Sequence, residues 1–265
     1  MHAEITVLGS GTSMGVPTLG CNCRVCTSSD PRDKRTRPSI CIAYGDGDAR
    51  RSVLIDTSID FRAQALRENI SQIDAVLYTH GHADHILGLD DLRPLTFRFP
   101  QENPMPLYAD AATAAVIERI FDYTFRRENA YPTRARVRMV VPEGTQWSVD
   151  LFGARFQRVP VMHGTMPIAG YRFGSAAYIT DLSTLPDDSL PLLQDLDVLI
   201  LNALRRQPHP THSNLESSIA LVEKLRPRRA WFTHMSHDLM HTETEAALPP
   251  HIRLLYDGVR IPFDI

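Results

Sequence analysis

Residues 79–85 read Thr-His-Gly-His-Ala-Asp-His. Three imidazoles and a carboxylate, His80, His82, Asp84 and His85, thus follow one another within six positions, straight after the apolar run Ile73 to Tyr78. Neutral imidazole and ionised carboxylate are the usual ligands of zinc, manganese and iron in catalytic sites. His80 and His82 lie two apart, so in an extended segment they face one side and can grip one ion. Asp84 and His85 are adjacent and must diverge, which suits a second ion beside the first. The competing readings are a histidine-rich surface turn and a core histidine beside a helix cap. Two interleaved ligand pairs at a strand end favour metal binding over both.

Such a centre needs elements that bring further ligands to it. Short apolar runs ending in a polar residue recur along the chain: Ile5–Leu8 before Gly9, Val53–Ile55 before Asp56, and Val76–Thr79 before His80. The pattern continues with Val159–Met162 before His163, Tyr178–Thr180 before Asp181, Val198–Leu201 before Asn202 and Trp231–Thr233 before His234. Runs of this length, rich in branched and aromatic residues, read as buried strands. Helical patterns follow several of them, over 61–69, 86–92, 111–123 and 215–225, the last opened by a capping box of Ser213 with Glu216. Strands alternating with helices imply a layered α/β architecture, whose sites collect at the carboxyl ends of the strands. His80 to His85 and the later strand-end residues are therefore expected to converge. Asp56 reads either as the acceptor of a hydrogen bond from a ligand histidine or as the cap of helix 61–69.

The 265 residues are read as one domain, with Pro-rich residues 93–110 and Arg-rich residues 124–138 as surface excursions. A net charge of −3 argues against broad attraction to nucleic acid or anionic membrane. The N-terminus lacks a signal-peptide pattern and no apolar stretch is long enough to span a bilayer, so a soluble, cytoplasmic protein is expected. Gly9, Gly11 and Gly15 have the wrong spacing for a dinucleotide fingerprint, and tight turns account for them. Tyr123, Phe125, Arg126, Arg127, Tyr131 and Arg134 could form a lid that grips phosphate. The alternation of Arg134, Arg136 and Arg138 with Ala135 and Val137 favours a solvated strand face instead. His2, His241 and His251 read as surface residues.

Cys21, Cys23 and Cys26 form a C-x-C-x-x-C loop over about 20–27, while Cys41 sits in a strand-like run and reads as a small buried residue. In a reducing compartment such a cluster favours a metal clamp over a disulfide framework.

The H-x-H-x-D-H segment, with a later His, Asp and His each closing a strand, resembles the metallo-β-lactamase fold superfamily over nearly the whole chain. That resemblance implies a four-layer αβ/βα sandwich with two divalent ions, zinc or manganese, in a cleft at one edge. By it His80, His82 and His163 hold the first ion, Asp84, His85 and His234 the second, and Asp181 bridges them. The opening Gly9-Ser10-Gly11-Thr12-Ser13-Met14-Gly15-Val16-Pro17, the three cysteines and Thr233-His234-Met235-Ser236-His237-Asp238 narrow the likeness to PhnP-type cyclic phosphodiesterases. That group implies a structural zinc on Cys21, Cys23, Cys26 and His237, a closed shell with no vacancy for substrate. It further implies hydrolysis of a small cyclic phosphodiester of the 5-phosphoribosyl 1,2-cyclic phosphate or 2′,3′-cyclic nucleotide type.

Two adjacent ions lower the pKa of water and polarise phosphoryl oxygens, but the departing alkoxide still needs a proton. His212, in His209-Pro210-Thr211-His212-Ser213-Asn214, resembles the family's active-site histidine that is not a ligand, and with Asp84 it is the expected catalytic residue. The alternative is that His212 only precedes a helix cap. Rival activities are a tRNA 3′-processing-like RNA endonuclease, a thioesterase or lactonase of the same fold, and a zinc-stabilised binding module without catalysis. The expected partner is a small phosphodiester, with nucleic acid disfavoured but open, no membrane, and a homodimer among the options.

Overall fold

The protein is described from a computed structural model that covers residues 1–126, 128 and 131–265. Among the described residues, fourteen strands make two seven-stranded sheets. The first contains β1 (His2–Gly9), β2 (Ser39–Tyr44), β3 (Arg51–Ile55), β4 (Ala75–Leu77), β5 (Met105–Tyr108), β6 (Val137–Val140) and β14 (Arg260–Asp264), in the order β14-β1-β2-β3-β4-β5-β6. The second contains β7 (Ser148–Leu151), β8 (Ala154–His163), β9 (Met166–Phe173), β10 (Ala176–Ile179), β11 (Val198–Asn202), β12 (Arg229–Thr233) and β13 (Ile252–Leu254), in the order β13-β12-β11-β10-β9-β8-β7. Each sheet is antiparallel at one side and parallel through β3–β6 or β10–β13.

Alternation along the strands explains the layering. In β3, Val53 and Ile55 face the second sheet, where they join a core with Phe156, Tyr171, Tyr178 and Leu199. Leu54 between them faces outward and packs with Phe61, Ile86, Leu92 and Ile117 from the covering helical segments. β4 repeats this, with Ala75 and Leu77 inside and Val76 outside. Helix α6 (Leu215–Leu225) buries Leu215, Val222 and Leu225 against the second sheet, which completes the four layers.

Helices α1 (Phe61–Arg67), α2 (Ala83–Ile86), α3 (Arg93–Thr96), α4 (Ala111–Ile120), α5 (Asp122–Phe125) and α7 (His241–Ala246) complete the elements that bear on the site. The helical pattern over 86–92 is a 3-10 segment, Leu87–Leu92, continuing from α2. The pattern over 111–123 divides into α4 and α5 at Phe121. Residues 93–110 are not a surface excursion throughout, because β5 pairs in parallel with β4 and β6 and buries Met105 and Leu107 completely. Likewise Val137 and Arg138, at the end of 124–138, belong to β6. Four-residue strands, one carrying Pro106, offer too little alternation to stand out in the sequence.

Among the opening glycines only Gly15 has a left-handed backbone, at φ +65°. Gly9 is required by close approach instead: a Cβ there would lie 1.9 Å from the Arg37 carbonyl oxygen. No helix among the described residues is long and apolar enough to cross a membrane.

Candidate metal centre

The carboxyl ends of β3, β4, β8, β10 and β12 deliver Asp56, His80, His163, Asp181 and His234 to one edge of the sandwich. Asp56, Asp181 and His234 all adopt the left-handed backbone region, with φ of 64°, 55° and 56°. That region is uncommon for residues other than glycine, with Asn, Asp and His its commonest occupants, and three instances at one edge mark a place where side-chain direction governs the backbone.

Two separate groups of ligand atoms form there, His80, His82 and His163 in one and Asp84, His85, Asp181 and His234 in the other, and a third, overlapping combination joins His163 and Asp181 to His212. Within each, the atoms lie within 4.8 Å of one another. His80 leads from one group to the other, its ring centroid 5.6 Å from that of His163 and 4.2 Å from that of His85. His82 is exposed and His212 half-buried, whereas the remaining members are buried. Asp181 lies among them: its Oδ2 is 3.3 Å from His85 Nε2, and its Oδ1 is 3.1 Å from His234 Nε2 and 3.2 Å from His212 Nε2. Asp84 Oδ2 completes the set at 3.3 Å from His85 Nε2 and 3.6 Å from His234 Nε2.

Neighbouring groups hold these rings in place. His85 Nδ1 is 2.7 Å from Asp56 Oδ2, and Asp56 also accepts from the backbone amide and hydroxyl of Thr79, each at 2.8 Å. His163 Nδ1 donates to the Thr211 carbonyl oxygen at 2.7 Å, which leaves Nε2 for the centre. Asn202 Oδ1 accepts from the Leu182 amide at 2.7 Å and so fixes the turn carrying Asp181. Thr79 was not singled out by the sequence, since a threonine between strand and motif carries no signal of its own. The helix-cap alternative for Asp56 is not what forms, because Asp60 occupies the N-cap of α1.

Charge is balanced with difficulty in this space. Burial disfavours the charged form of Asp181 and Asp84, yet His234 and His85 more than offset it and hold both carboxyls below the usual range. Burial likewise opposes a charged His85, but Asp84, Asp181 and Asp56 hold it well above the usual histidine range. His80, buried and next to His85, is held well below it. Burial also pushes Asp56 up and His82 and His212 down. His85 Nε2 and His234 Nε2 are buried with no hydrogen-bond partner. Orphaned nitrogens facing two carboxylates are the donor set a divalent cation fits.

A second cluster sits apart from the first. His237 Nδ1 lies 3.2, 3.7 and 3.4 Å from the sulfurs of Cys21, Cys23 and Cys26. Sulfur and nitrogen sharing a tetrahedral zinc, bonded at about 2.3 and 2.0 Å, would stand about 3.5 Å apart. The Cys26 amide lowers the Cys23 thiol, while burial pushes Cys26 up to about 11. Loop and centre are tied directly, because Met235, next to His234, donates its amide to the Ser10 carbonyl at 3.0 Å and accepts from the Thr12 amide at 3.2 Å. Buried Arg35 reinforces the tie through the carbonyls of Ser236 at 2.9 Å and Leu239 at 2.6 Å. Cys41 is buried in β2, as its surroundings suggested.

Of the other sequence candidates, His241 proves to be buried rather than on the surface, its amide bonded to Asp33 Oδ1 at 2.8 Å. In the Arg/Tyr-rich segment, Arg126 pairs with Asp122, Arg134 donates to the Arg126 carbonyl, and Arg136 donates to the carbonyls of Phe97 and Phe99. These cations are used structurally; Arg127 lies outside the described residues.

Comparison with known proteins agrees with this geometry. Residues 51–235 match the family model described as "Beta-lactamase superfamily domain". A crystal structure described as a new diphosphatase from the PhnP family is 53% identical, with a TM-score of 0.91, covering 99% of this chain and 98% of that one. Zn(2+)-bound PqqB from Methylobacterium extorquens is 20% identical with a TM-score of 0.77, covering 98% and 99% of the two chains, and shares the fold. A Porphyromonas gingivalis protein named octanoyltransferase is 38% identical over 97% of this chain, but the chain spans only 51% of its length. With strand ends, ligand clusters and these likenesses in agreement, the chain belongs to the PhnP family of the β-lactamase superfamily and carries its α/β metallo-hydrolase fold, which implies a divalent metal.

Proposed function

We propose that the protein is a dinuclear metal-dependent phosphodiesterase acting on a small cyclic phosphodiester, of the 5-phosphoribosyl 1,2-cyclic phosphate or 2′,3′-cyclic nucleotide type. The observation that carries this reading is the convergence of two ligand groups about Asp181, with His212, which shares only an overlapping third combination with His163 and Asp181, placing Nε2 3.2 Å from the same carboxylate. His80, His82 and His163 would hold one ion and Asp84, His85 and His234 the other, with Asp181 between them; zinc and manganese both suit imidazole and carboxylate. Cys21, Cys23, Cys26 and His237 would hold a structural zinc. When bound, a pair of divalent ions supplies a water of lowered pKa and offsets charge on phosphoryl oxygens.

The rest is the work of the chain. Asp56 and the Thr211 carbonyl keep the rings of His85 and His163 turned inward. His212, partly buried against the centre, is the group able to give a proton from Nε2 to the departing oxygen. The 53% identity to a diphosphatase favours a second reading, cleavage of a phosphoric anhydride at the same centre. The octanoyltransferase likeness keeps an acyl thioester on the substrate panel.

The test is turnover of a ribosyl cyclic phosphate, a 2′,3′-cyclic nucleotide, a dinucleoside diphosphate and an acyl thioester by zinc- and manganese-loaded protein. Cyclic diesters are expected to turn over fastest; preference for the diphosphate establishes the second reading, and no phosphoryl turnover with either metal ends both. His212→Ala is expected to lower turnover of an alkyl diester by about 10²–10⁴-fold with metal content unchanged.

A further inference from the structure

The loop that carries His212 contains a second histidine, His209, that none of the ligand groups includes. Its Nδ1 lies 3.2 Å from His212 Nδ1, on the side of the His212 ring away from Asp181. Thr211 links the two: its hydroxyl is 3.0 Å from His212 Nδ1 and 3.3 Å from His209 Nδ1, and its amide donates to His209 Nδ1 at 3.3 Å. The His209 and His212 rings meet edge to face, with centroids 5.0 Å apart.

We propose that His209 is a positioning residue, which fixes the His212 ring so that Nε2 rather than a ring carbon faces the centre. This rests on the proposed role of His212 as proton donor. A half-turn of that ring about its Cβ–Cγ bond exchanges Nδ1 with a carbon, and Nε2 with another. The turned ring would give up its contacts to His209 Nδ1 and the Thr211 hydroxyl and bring a C–H to Asp181. His212 stacks on His234, at 5.0 Å between centroids and 16° between planes, and such a face-on contact restrains tilt but not this half-turn. The restraint must come from the ring's edge, where Nε2 meets Asp181 Oδ1 at 3.2 Å and Nδ1 meets His209 Nδ1 and the Thr211 hydroxyl. The hydroxyl lies between both rings, so its direction depends on His209 as well.

The loop is built to keep His209 there. His209 stands between Pro208 and Pro210, and a residue before proline is confined to extended conformations. Arg205 caps the carbonyls of Gln207 and Pro208 at 3.2 and 2.8 Å. The Thr211 carbonyl is anchored on His163, and Gly164 admits the Thr211 side chain, since a Cβ at Gly164 would stand 2.9 Å from Thr211 Cγ2.

The experiment compares wild type, His209→Ala, His209→Asn and His212→Ala in the metal-loaded protein on two diesters. One has an alkyl leaving group, which needs a proton to depart; the other is bis(p-nitrophenyl) phosphate, whose leaving group does not. His209→Ala is expected to lower kcat for the alkyl diester about tenfold, a fraction of a general acid's whole contribution. KM, metal content and p-nitrophenyl turnover should change little. His209→Asn, whose side-chain amide stands near the place of Nδ1, should restore most of the loss. In the metal-free protein, long-range ¹H–¹⁵N spectra should show a single set of His212 ring signals in wild type and His209→Asn, and a second set or exchange broadening from the turned ring in His209→Ala.

Equal losses on both diesters, no rescue by asparagine, or an unaltered His212 spectrum in His209→Ala would overturn the positioning role. If His212→Ala fails to distinguish the leaving groups, it is the proton-donor reading that falls, and the spectra still report on His209 separately.

Discussion

Asp56 shows how much a single side chain can carry without touching a ligand. It is fully buried, and burial alone pushes its carboxyl up, yet three hydrogen-bond contacts from Thr79 and His85 support it. Its partner ring then has one orientation and a more basic Nε2. Asp56→Asn keeps the shape and suits the left-handed backbone but removes the charge. It is expected to weaken metal affinity about 10–100-fold with the fold intact. Chelator competition on the variant checks this, and unchanged affinity would reduce Asp56 to a packing residue. At this scale the sequence was readable wherever residue type and strand end coincided, as at Asp56, His163, Asp181 and His234. It was silent on Thr79, Asn202 and Arg35, whose importance comes from partners 23, 20 and 201 positions away.

At the scale of elements, helices were legible in position but not always at their ends. Helix α6 runs over Leu215–Leu225 as its periodicity indicates, but its N-cap is Asn214, whose side chain accepts from the Ser217 amide at 3.0 Å. Ser213 meets Ser218 Oγ instead, at 2.9 Å, so the expected capping box does not form. Asparagine and serine are near-equal caps, and one position of register decides between them only in three dimensions. His241 was misread for a related reason, since burial of the first residue of α7 comes from its docking on Asp33, far away in sequence. Burial holds His241 below the usual histidine pKa, its Nδ1 without a hydrogen-bond partner. Unfolded chain therefore binds a proton that folded chain refuses. Its contribution to stability is whole above the unfolded value of about 6.5 and shrinks as pH falls from there towards the lower folded value. Denaturant unfolding at pH 7.5 and 5.5 should show a smaller acid loss for His241→Asn than for wild type; parallel losses would remove His241 as a cause.

Across the whole molecule, two sheets bring seven candidate ligand side chains to one edge from four segments, those at the ends of β4, β8, β10 and β12, and the cysteine cluster ties the N-terminal loop to the turn after β12. The layered α/β fold followed from the alternation of apolar runs and helical patterns, and the shared edge from where the polar residues fall. The short strands β5 and β6 lay beyond such reading, as did the distances that separate one ligand group from the next. The tie makes the cysteine cluster matter to the centre. Cys23→Ser is expected to release about one zinc per chain and to lower the melting temperature, because metal and fold are linked. Metal analysis and calorimetry check this together, and unaltered zinc content would remove the clamp.

The positive φ of Asp56, Asp181 and His234 has a wider implication. Glycine would relax the backbone at those three tips, but it would strand the buried partners of Asp56 and remove two candidate metal ligands. Backbone ease and the site's side chains are here in direct competition at identifiable positions, so attempts to harden this enzyme should begin away from that rim.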